Sequence, residues 1–284
     1  MKKAVILIIT GIVLIVLCAL VILHVYRRKV DAVNVIIPHT VLEAYYPPVQ
    51  RIPRHILQTH YVELDNVTVA QIKSLSVGYT YSFFVDADIE QYMLSHPIAE
   101  FPNMISKFRQ LRGAHKADLF RYLWLYQNGG VFIDSDLMIY RPMDEILQDY
   151  EFVTAIDKHK KGAFTGILAC APRHPYMYLA LRDAYETPIA HLKDVTPWFN
   201  DSPLQGINHY NYLTWMRHLK SLLGPVQLPR TKLYHECAYD PTNHYAVLQS
   251  DCSTKTRDQL VAIHYYNRKI VPQQVPSLEW LYAK

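Results

Sequence analysis

The 284-residue sequence predicts an α/β fold around a mostly parallel sheet. Short runs of aromatic and β-branched residues alternate with amphipathic stretches, which is the pattern of strands connected by helices. Half of the residues are apolar, so the chain can bury a large core. The pattern begins near Arg51 and follows a long apolar segment. We therefore divide the chain into an N-terminal anchor (1–29), a stem (30–50) and a folded domain (51–284).

The N-terminal segment predicts a helix that crosses a membrane. Residues from Ala4 to Leu23 are apolar except for Thr10 and Gly11, and about 20 such residues span a bilayer core. A cleaved signal peptide is the alternative, but its apolar region is usually about 7–15 residues long and precedes a small-x-small cleavage site. No such site follows Leu23, so we favour a retained anchor.

Charge argues against a nucleic-acid partner. The net charge is +4, but five of the 29 basic residues flank the apolar segment, at positions 2, 3, 27, 28 and 29. The other 24 are balanced by 25 acidic residues, so the predicted domain has no excess of positive charge for a polyanion. The charges on the two sides of the segment are similar, so they do not decide its orientation in a membrane.

The predicted domain opens in the order strand, helix, strand, helix. Pro53–Gln58 is predicted as the first strand and Val67–Leu75 as the helix after it. Tyr79–Val85 is rich in aromatic and β-branched residues, which indicates a second strand. Asp86 is predicted to cap a helix that runs through Leu94.

The clearest helical periodicity lies between Asn103 and Tyr126, and Gly113 predicts a break that divides it into two helices. The sequence Asn-Gly-Gly at 128–130 predicts the C-terminal end of the second helix. A short apolar strand, Val131–Ile133, follows directly.

Further strands are predicted at Leu137–Tyr140, Phe152–Ile156 and Phe164–Ala171, with a helix after Pro175. Beyond Thr187 the pattern weakens, and we expect irregular structure that wraps back over a site.

Two aspartates follow the strand Val131–Ile133. Asp134 and Asp136 are one residue apart, so in an extended chain both side chains face one side, about 6–7 Å apart at their Cα atoms. Carboxylates in this arrangement suit a hard cation such as Mg²⁺ or Mn²⁺, which in turn binds diphosphate oxygens. Ligands of open α/β sheets bind at the carboxyl ends of strands. Asp134 and Asp136 are therefore candidate metal-binding and catalytic residues, although an Asp-x-Asp triplet is common by chance and a solvated turn is the alternative.

The motifs around these aspartates resemble the family 32 glycosyltransferases. The resemblance rests on Ala117–Tyr122 (ADLFRY), Tyr126–Gly130 (YQNGG) and Val131–Asp136 (VFIDSD), and more loosely on Arg51–Thr59. That family includes fungal initiating mannosyltransferases and sphingolipid mannosyltransferases, and shares its core with the glucosylating clostridial toxins. The resemblance implies a GT-A fold with a Rossmann-type nucleotide-sugar-binding domain. It also implies retaining, Mn²⁺- or Mg²⁺-dependent transfer from a UDP- or GDP-sugar to a glycan, glycoprotein or glycolipid.

The resemblance also implies roles for individual residues. Asp118 and Arg121 would hold the donor sugar and its phosphate, and Gln58 would belong to the donor site. Asp134 would face the ribose and the metal, and Asp136 would bind the metal directly. Asp118 and Arg121 are three residues apart on a helix and share a face, although an ordinary surface ion pair would share it too.

A C-terminal histidine completes the metal site in the family, which implies that His264 is a metal ligand. The serine and tryptophan that commonly follow are replaced by Tyr265–Lys269, so a structural, hydrogen-bonded histidine is the alternative. Leu57 and His60 stand where the family has histidine and tryptophan, and the sequence therefore does not assign the donor's base.

Weaker correspondences place Thr165 and Gly166 on the acceptor side and Ser202–Gly206 in a closing loop, with a surface turn as the alternative for that loop. Cys237 and Cys252 bracket a loop-like stretch, where a disulfide and two reduced thiols are equally compatible with the sequence.

Two other functions use the same residue types. A glycoside hydrolase also needs two carboxylates, about 5–9.5 Å apart. A non-catalytic surface protein that binds carbohydrate or Ca²⁺ could hold the ion with Asp134 and Asp136. We favour a single-pass, type II membrane enzyme whose catalytic domain faces the Golgi or secretory lumen, including a viral protein that acts there.

Overall fold

The computed structural model describes residues 51–64, 66–111, 113–156, 163–186, 230–240, 245–252 and 259–265. The predicted anchor (1–29) and stem (30–50) lie outside these ranges. None of the helices within the described ranges has the length and apolar character that crossing a membrane requires.

Six helices lie within the described residues. They are α1 (Asn66–Ser74), α2 (Asp86–Ser95), α3 (Met104–Gln110), α4 (Ala114–Asn128), α5 (Met143–Leu147) and α6 (Pro175–Glu186). The predicted break at Gly113 is confirmed, since it separates α3 from α4. Asp86 was expected to cap α2 but is its first helical residue; the Val85 N–H is satisfied by the Asp88 carboxylate instead, at 3.2 Å. The short helix α5 was not predicted.

Nine strands of the described chain form one sheet. They are β1 (His55–Thr59), β2 (Thr80–Phe84), β3 (Gly130–Ile133), β4 (Leu137–Ile139), β5 (Phe152–Ile156), β6 (Ala163–Cys170), β7 (Thr231–Asp240), β8 (Tyr245–Gln249) and β9 (Leu260–His264). Their order across the sheet is β2-β1-β3-β6-β5-β7-β8-β9-β4. The α/β class is therefore confirmed.

The prediction of a mostly parallel sheet was wrong, because the sheet is mixed. Strand β1 is parallel to β2 and β3, and β5 is parallel to β7, whereas the other five neighbouring pairs are antiparallel. The reason is the length of the connections. Only residues 157–162 separate β5 from β6, and only 241–244 separate β7 from β8, whereas a parallel crossover needs a dozen or more residues.

The expectation of irregular structure beyond Thr187 was also wrong for its described part. This region contains the strands β7, β8 and β9. Strand β8 pairs with both β7 and β9. A register shift interrupts each pairing, between Glu236 and Ala238 in the first and between Leu248 and Gln249 in the second. Such bulges break the alternation of apolar and polar residues that reveals a strand in a sequence.

The sheet curls into an open half-barrel. Strands β3 and β4 are six spacings apart in the sheet order, which is about 29 Å in a flat sheet. Only residues 134–136 join them, and four peptide steps span at most about 14 Å. The sheet must therefore bend until β4 returns towards β3. In agreement, the rings of Phe164 on β6 and His264 on β9 lie 5.0 Å apart.

One core cluster combines residues of the sheet and of the helices α1 and α5. Its sheet members include Ile133, Leu137, Val153, Ile167, Leu248 and Ala262. At Gly130 the backbone packs so closely that a Cβ atom would lie 2.6 Å from the carbonyl oxygen of His55. Gly129 caps the end of α4, and the glycine at position 130 lets β3 pair with β1.

Cys237 and Cys252 form a disulfide, with their Cα atoms 5.1 Å apart. Cys237 occupies the bulge in β7, so the crosslink holds an irregular point of the sheet. Cys170 is a buried free thiol in β6, and burial raises its pKa far above the usual value. Its thiolate form is therefore strongly disfavoured.

Candidate metal and donor site

Three predicted metal ligands meet at one edge of the sheet. Asp134 and Asp136 lie in the three-residue link between β3 and β4, and His264 ends β9. Strand β4 pairs with β9 so that Leu137 is opposite His264, which brings the histidine beside the aspartates. One ligand atom from each of the three residues lies within 4.8 Å of the others. We call this end of the sheet the site edge.

Backbone hydrogen bonds fix the short link. The Asp134 N–H donates to the carbonyl oxygen of Gly166 at 2.8 Å, and the Leu137 N–H donates to the carbonyl oxygen of Asp134 at 3.1 Å. The Tyr265 N–H donates to the carbonyl oxygen of Asp136 at 2.9 Å. The two carboxylates are thus held on a rigid backbone before any ligand arrives, which is how precise sites are built.

Helix α4 delivers Asp118 and Arg121 to the same place. The Arg121 guanidinium lies 3.2 Å from the Asp118 carboxylate and 3.1 Å from that of Asp134. The Arg121 side chain is only 4% exposed, so this is not the surface ion pair considered as the alternative. Buried charges persist only when they are paired, and Arg121 pairs with two carboxylates at once.

The remaining donors of Arg121 are also engaged. Its Nη1 donates to the backbone oxygen of Thr165 at 2.7 Å and lies 3.2 Å from the Thr165 hydroxyl. Its Nε donates to the carbonyl oxygen of Ala117 at 3.4 Å, and the guanidinium lies 4.1 Å from the centre of the Phe132 ring. In this structure the guanidinium therefore joins α4, β3 and β6. Direct contact of Arg121 with a donor phosphate stays a prediction.

Burial and charge shift the acidity of the ligands. Burial raises the pKa of Asp134 above its usual range, although the positive charge of Arg121 opposes the shift. Burial alone would lower the pKa of His264, but its 3.2 Å hydrogen bond to Asp136 and the neighbouring carboxylates raise it instead. Glu236 on β7 is buried and is one of those carboxylates. A cation bound here would therefore compete with the proton on His264.

Gln58 contacts the link between β3 and β4. Its side chain is fully buried, and its Nε2 donates to the carbonyl oxygen of Asp134 at 3.2 Å. Its Oε1 accepts a hydrogen bond from the Tyr81 hydroxyl at 2.9 Å. These contacts give Gln58 a positioning role in this structure, and its predicted contact with the donor stays a prediction.

The donor set fits a divalent cation of the Mn²⁺ type. Two carboxylates and one imidazole combine hard oxygen ligands with a nitrogen, which Mn²⁺ accepts more readily than Mg²⁺ does. Three protein ligands leave coordination positions for phosphate oxygens. A cation would also offset the negative charge of the buried carboxylates of Asp118 and Glu236, which act on Asp134 and His264.

Several contacts of the site were not predicted from the sequence. A Cβ atom at Gly166 would lie 2.7 Å from the Asp134 carboxylate, so the glycine makes room for Asp134, and its place on the acceptor side stays a prediction. Thr165 holds Arg121. Tyr81 and Glu236 were not predicted, because no local motif marks them. The predicted closing loop, Ser202–Gly206, lies outside the described residues.

A family comparison covers the segment that carries most of this cluster. Residues 62–153 match the family described as a glycosyltransferase sugar-binding region containing a DXD motif. Over these residues the chain is similar to the DXD-containing glycosyltransferases. Asp118, Arg121, Asp134 and Asp136 lie inside the matched region, whereas Gln58 and His264 lie outside it.

Curated relatives confirm the predicted resemblance to fungal mannosyltransferases. An inositol phosphoceramide mannosyltransferase of Schizosaccharomyces pombe is 34% identical over 68 residues, which is 24% of this chain and 21% of the relative. A mannosyl phosphorylinositol ceramide synthase of Saccharomyces cerevisiae is 26% identical over 145 residues, covering 49% of this chain and 36% of the relative. The initiation-specific α-1,6-mannosyltransferase of S. cerevisiae is 38% identical over 72 residues, covering 25% and 15%. The chain thus spans about a third or less of the length of these relatives.

Solved structures show a looser likeness. The PaToxG glycosyltransferase aligns with a TM-score of 0.41 and 11% identity, over 71% of this chain and 77% of that chain. A glycosyltransferase involved in the glycosylation of the major capsid of PBCV-1 aligns with a TM-score of 0.31 and 12% identity, over 65% and 82%. These TM-scores are too low to assign a fold or a substrate.

Proposed function

We propose that the chain is a membrane-anchored, GT-A-type glycosyltransferase that transfers a hexose from a nucleotide-sugar donor with the help of Mn²⁺ or Mg²⁺. The observation that carries the proposal is the cluster of Asp134, Asp136 and His264, whose ligand atoms lie within 4.8 Å of one another. Two of the three ligands belong to the family-matched region. A histidine among the ligands favours a metal site over the paired carboxylates of a hydrolase.

In the proposed reaction, the bond between the sugar's C1 and the donor phosphate oxygen breaks, and a bond from C1 to the acceptor hydroxyl oxygen forms. The acceptor's proton passes to the departing nucleotide diphosphate. Asp134, Asp136 and His264 would hold the cation, which neutralises the charge that develops on that diphosphate. We also propose front-face transfer that retains the anomeric configuration, as the resemblance to the family 32 glycosyltransferases implies.

Arg121 and Asp118 have different roles in the proposed reaction. Arg121 keeps the carboxylates of Asp118 and Asp134 at fixed positions, 3.2 and 3.1 Å from its Nη2 atom. Asp118 then offers acceptor oxygens to hydroxyl groups of the donor sugar. Such preorganised polar groups need no rearrangement as charge develops, which is the main source of electrostatic catalysis.

The relatives suggest which substrates to test first. All three named relatives are mannosyltransferases or mannosyl-lipid synthases, and two of them are named for inositol phosphoceramide products. We therefore propose mannose as the first donor sugar to test, ahead of galactose, glucose and N-acetylglucosamine. Inositol phosphoceramide, which the name of the S. pombe relative contains, is the corresponding first acceptor to test.

We further propose that the domain faces the lumen of the secretory pathway, tethered by residues 4–23. The disulfide between Cys237 and Cys252 supports this location, because disulfides persist in oxidising compartments. Protease treatment of intact microsomes should leave the domain uncut, and addition of detergent should expose it. Digestion without detergent would contradict the lumenal location while leaving the proposed chemistry unaffected.

The activity is tested with the full chain, purified in a mild detergent and incubated with a panel of UDP- and GDP-sugars. Release of nucleotide diphosphate is measured with added Mn²⁺, with added Mg²⁺ and with a chelator. We expect cation-dependent release from one donor. The Asp136→Ala variant should lose about 10²–10³-fold in rate, since the cation contributes several kcal/mol to the transition state.

Asp144→Ala is the matched control, because Asp144 is an acidic residue of α5 that pairs with Arg54 away from the cluster. It should retain full activity. Sugar release that needs neither donor nucleotide nor cation would instead support a glycoside hydrolase. An Asp136→Ala variant that loses Ca²⁺ binding and stability, in a protein that turns over no donor, would support the non-catalytic alternative.

A further inference from the structure

We propose that Tyr81 and Gln58 form a buried relay that fixes the backbone of Asp134, and that Tyr81 is thereby a positioning residue of the metal site. Tyr81 itself would touch neither metal nor substrate. The inference rests on the proposed function, because it takes Asp134 as a metal ligand.

The relay crosses three neighbouring strands. Tyr81 lies on β2, Gln58 on β1, and Asp134 directly follows β3, and these strands are adjacent in the order β2-β1-β3. The Tyr81 hydroxyl donates to Gln58 Oε1 at 2.9 Å, and Gln58 Nε2 donates to the Asp134 carbonyl oxygen at 3.2 Å. Two hydrogen bonds thus connect the outer strand β2 to the link between β3 and β4.

Tyr81 decides which way the Gln58 amide points. A glutamine amide can present either its oxygen or its nitrogen to a neighbour, and only the hydrogen-bond network selects one. A tyrosine hydroxyl that donates to Oε1 leaves Nε2 for the carbonyl oxygen of Asp134. Burial raises the pKa of Tyr81 to about 12, so its hydroxyl keeps the proton that it donates.

Loss of the Tyr81 hydroxyl removes this selection. Gln58 is fully buried, so no bulk water reaches the amide to replace the missing partner. The amide then has an unsatisfied oxygen, and rotation by 180° would place that oxygen against the Asp134 carbonyl oxygen, which is repulsive.

The carbonyl of Asp134 is a sensitive point of the site. It accepts hydrogen bonds from both Gln58 Nε2 and the Leu137 N–H, which uses both of its lone pairs. The link between β3 and β4 has only three residues, so a shift of this carbonyl also moves the Asp134 carboxylate. Partners that orient metal ligands typically change metal affinity by about 10–100-fold. Tyr81 acts one residue further away, so we expect about three- to tenfold.

Tyr79 provides a matched control. It lies two residues before Tyr81, and its hydroxyl donates to the Asp144 carboxylate at 2.7 Å. Replacing either tyrosine by phenylalanine removes one oxygen atom and one hydrogen bond. The two variants therefore impose similar chemical changes, but only Tyr81 is connected to Asp134.

Two measurements on the full chain test the relay. Calorimetric titration with Mn²⁺ gives the dissociation constant, and hydrogen exchange without metal gives the protection of the Leu137 amide. In Tyr81→Phe we expect the dissociation constant to rise three- to tenfold and the Leu137 amide to exchange about tenfold faster, while Tyr79→Phe matches the wild type in both.

An unchanged dissociation constant in Tyr81→Phe overturns the inference, as does an equal change in Tyr79→Phe. If the wild type itself binds no Mn²⁺, the metal part of the proposed function fails. Hydrogen exchange then still decides the relay, because unchanged protection of the Leu137 amide in Tyr81→Phe shows that Tyr81 does not hold the link.

Discussion

Charged residues are buried at one end of the sheet and exposed at the other. At the site edge, Asp118, Arg121 and His264 are all buried and ionic partners surround them. At the other end, which we call the opposite edge, Arg54 pairs with Asp144 at 2.7 Å while their side chains are 58% and 55% exposed. The distances between the ion-pair partners are similar at the two edges, but the exposure of the side chains to water is not.

This difference indicates which interactions serve function and which serve only the surface. An exposed ion pair contributes about 0–1 kcal/mol, since water screens it and the side chains lose freedom. Burying charges costs several kcal/mol per ion before pairing offsets the loss. Such a buried network adds little net stability to a fold, which is consistent with a site that is organised to receive a charged ligand.

The sharpest test of this comparison replaces one arginine at each edge. Arg121→Met leaves the buried Asp118 and the partly buried Asp134 without their cation, so we expect a loss of about 3–5 kcal/mol in the free energy of unfolding. Arg54→Met should cost about 0–1 kcal/mol. Urea denaturation of both variants measures the two values. Losses of similar size would mean that the site-edge network is no different from a surface ion pair.

A pair of glycines separates packing at the site from backbone strain elsewhere. In Gly166→Ala the new Cβ would lie 2.7 Å from the Asp134 carboxylate and 2.4 Å from the Phe164 ring. We expect a loss of about 1–3 kcal/mol in stability and about tenfold or more in Mn²⁺ affinity.

Gly113 is the matched control, because its φ of +51° strains an alanine but no atom lies within 4 Å of the added Cβ. Gly113→Ala should cost about 1–2 kcal/mol and leave Mn²⁺ affinity unchanged. Metal affinity therefore distinguishes two variants whose stabilities are similar. Equal affinities would show that Gly166 has no special relation to the carboxylate.

The opposite edge has a buried ionisable group of its own, but it is kept neutral. His174 stacks on Phe152, and its Nδ1 accepts a hydrogen bond from the Tyr176 N–H at 3.1 Å at the start of α6. Burial lowers the pKa of His174 to about 3. In the unfolded chain His174 therefore takes up a proton near pH 6.5, whereas in the folded chain it stays neutral down to about pH 3.

Stability should consequently fall as the pH decreases from about 6.5 towards 3, by up to about 1.4 kcal/mol per pH unit from this residue. His174→Asn keeps an acceptor for the helix N-terminus but does not titrate. We expect a shallower dependence of the unfolding free energy on pH between 6.5 and 4.5 in this variant. Equal slopes would mean that His174 is protonated in the folded state as well.

The sequence predicted the first half of the fold well, because its signals are local. The strand Phe152–Ile156 has the predicted bounds, and the elements from β1 to β4 differ from prediction by one or two residues. Glycines and apolar periodicity mark these elements within a few residues of chain. The topology was less predictable, because pairs such as Leu137 with His264 are specified by packing across more than a hundred residues.

In the candidate site, too, the residues of a local motif were predictable and the contacts between distant parts of the chain were not. Asp118, Arg121, Asp134 and Asp136 belong to one continuous motif, and the structure brings them together with His264. Glu236 and the contact of Gly166 with Asp134 could not be predicted, since they come from strands that are distant along the chain. The role of Gln58 was anticipated only as part of a motif, and its connection to Tyr81 depends on the register of β1 and β2.

The three-residue link between β3 and β4 also has a consequence for biosynthesis. The aspartates have been synthesised long before the ribosome reaches β9, yet His264 joins them only when β9 pairs with β4. Contacts of such long sequence separation form slowly and late. A nascent or truncated chain that lacks β9 would therefore lack one of the three proposed ligands, so tight Mn²⁺ binding would report that β9 has docked.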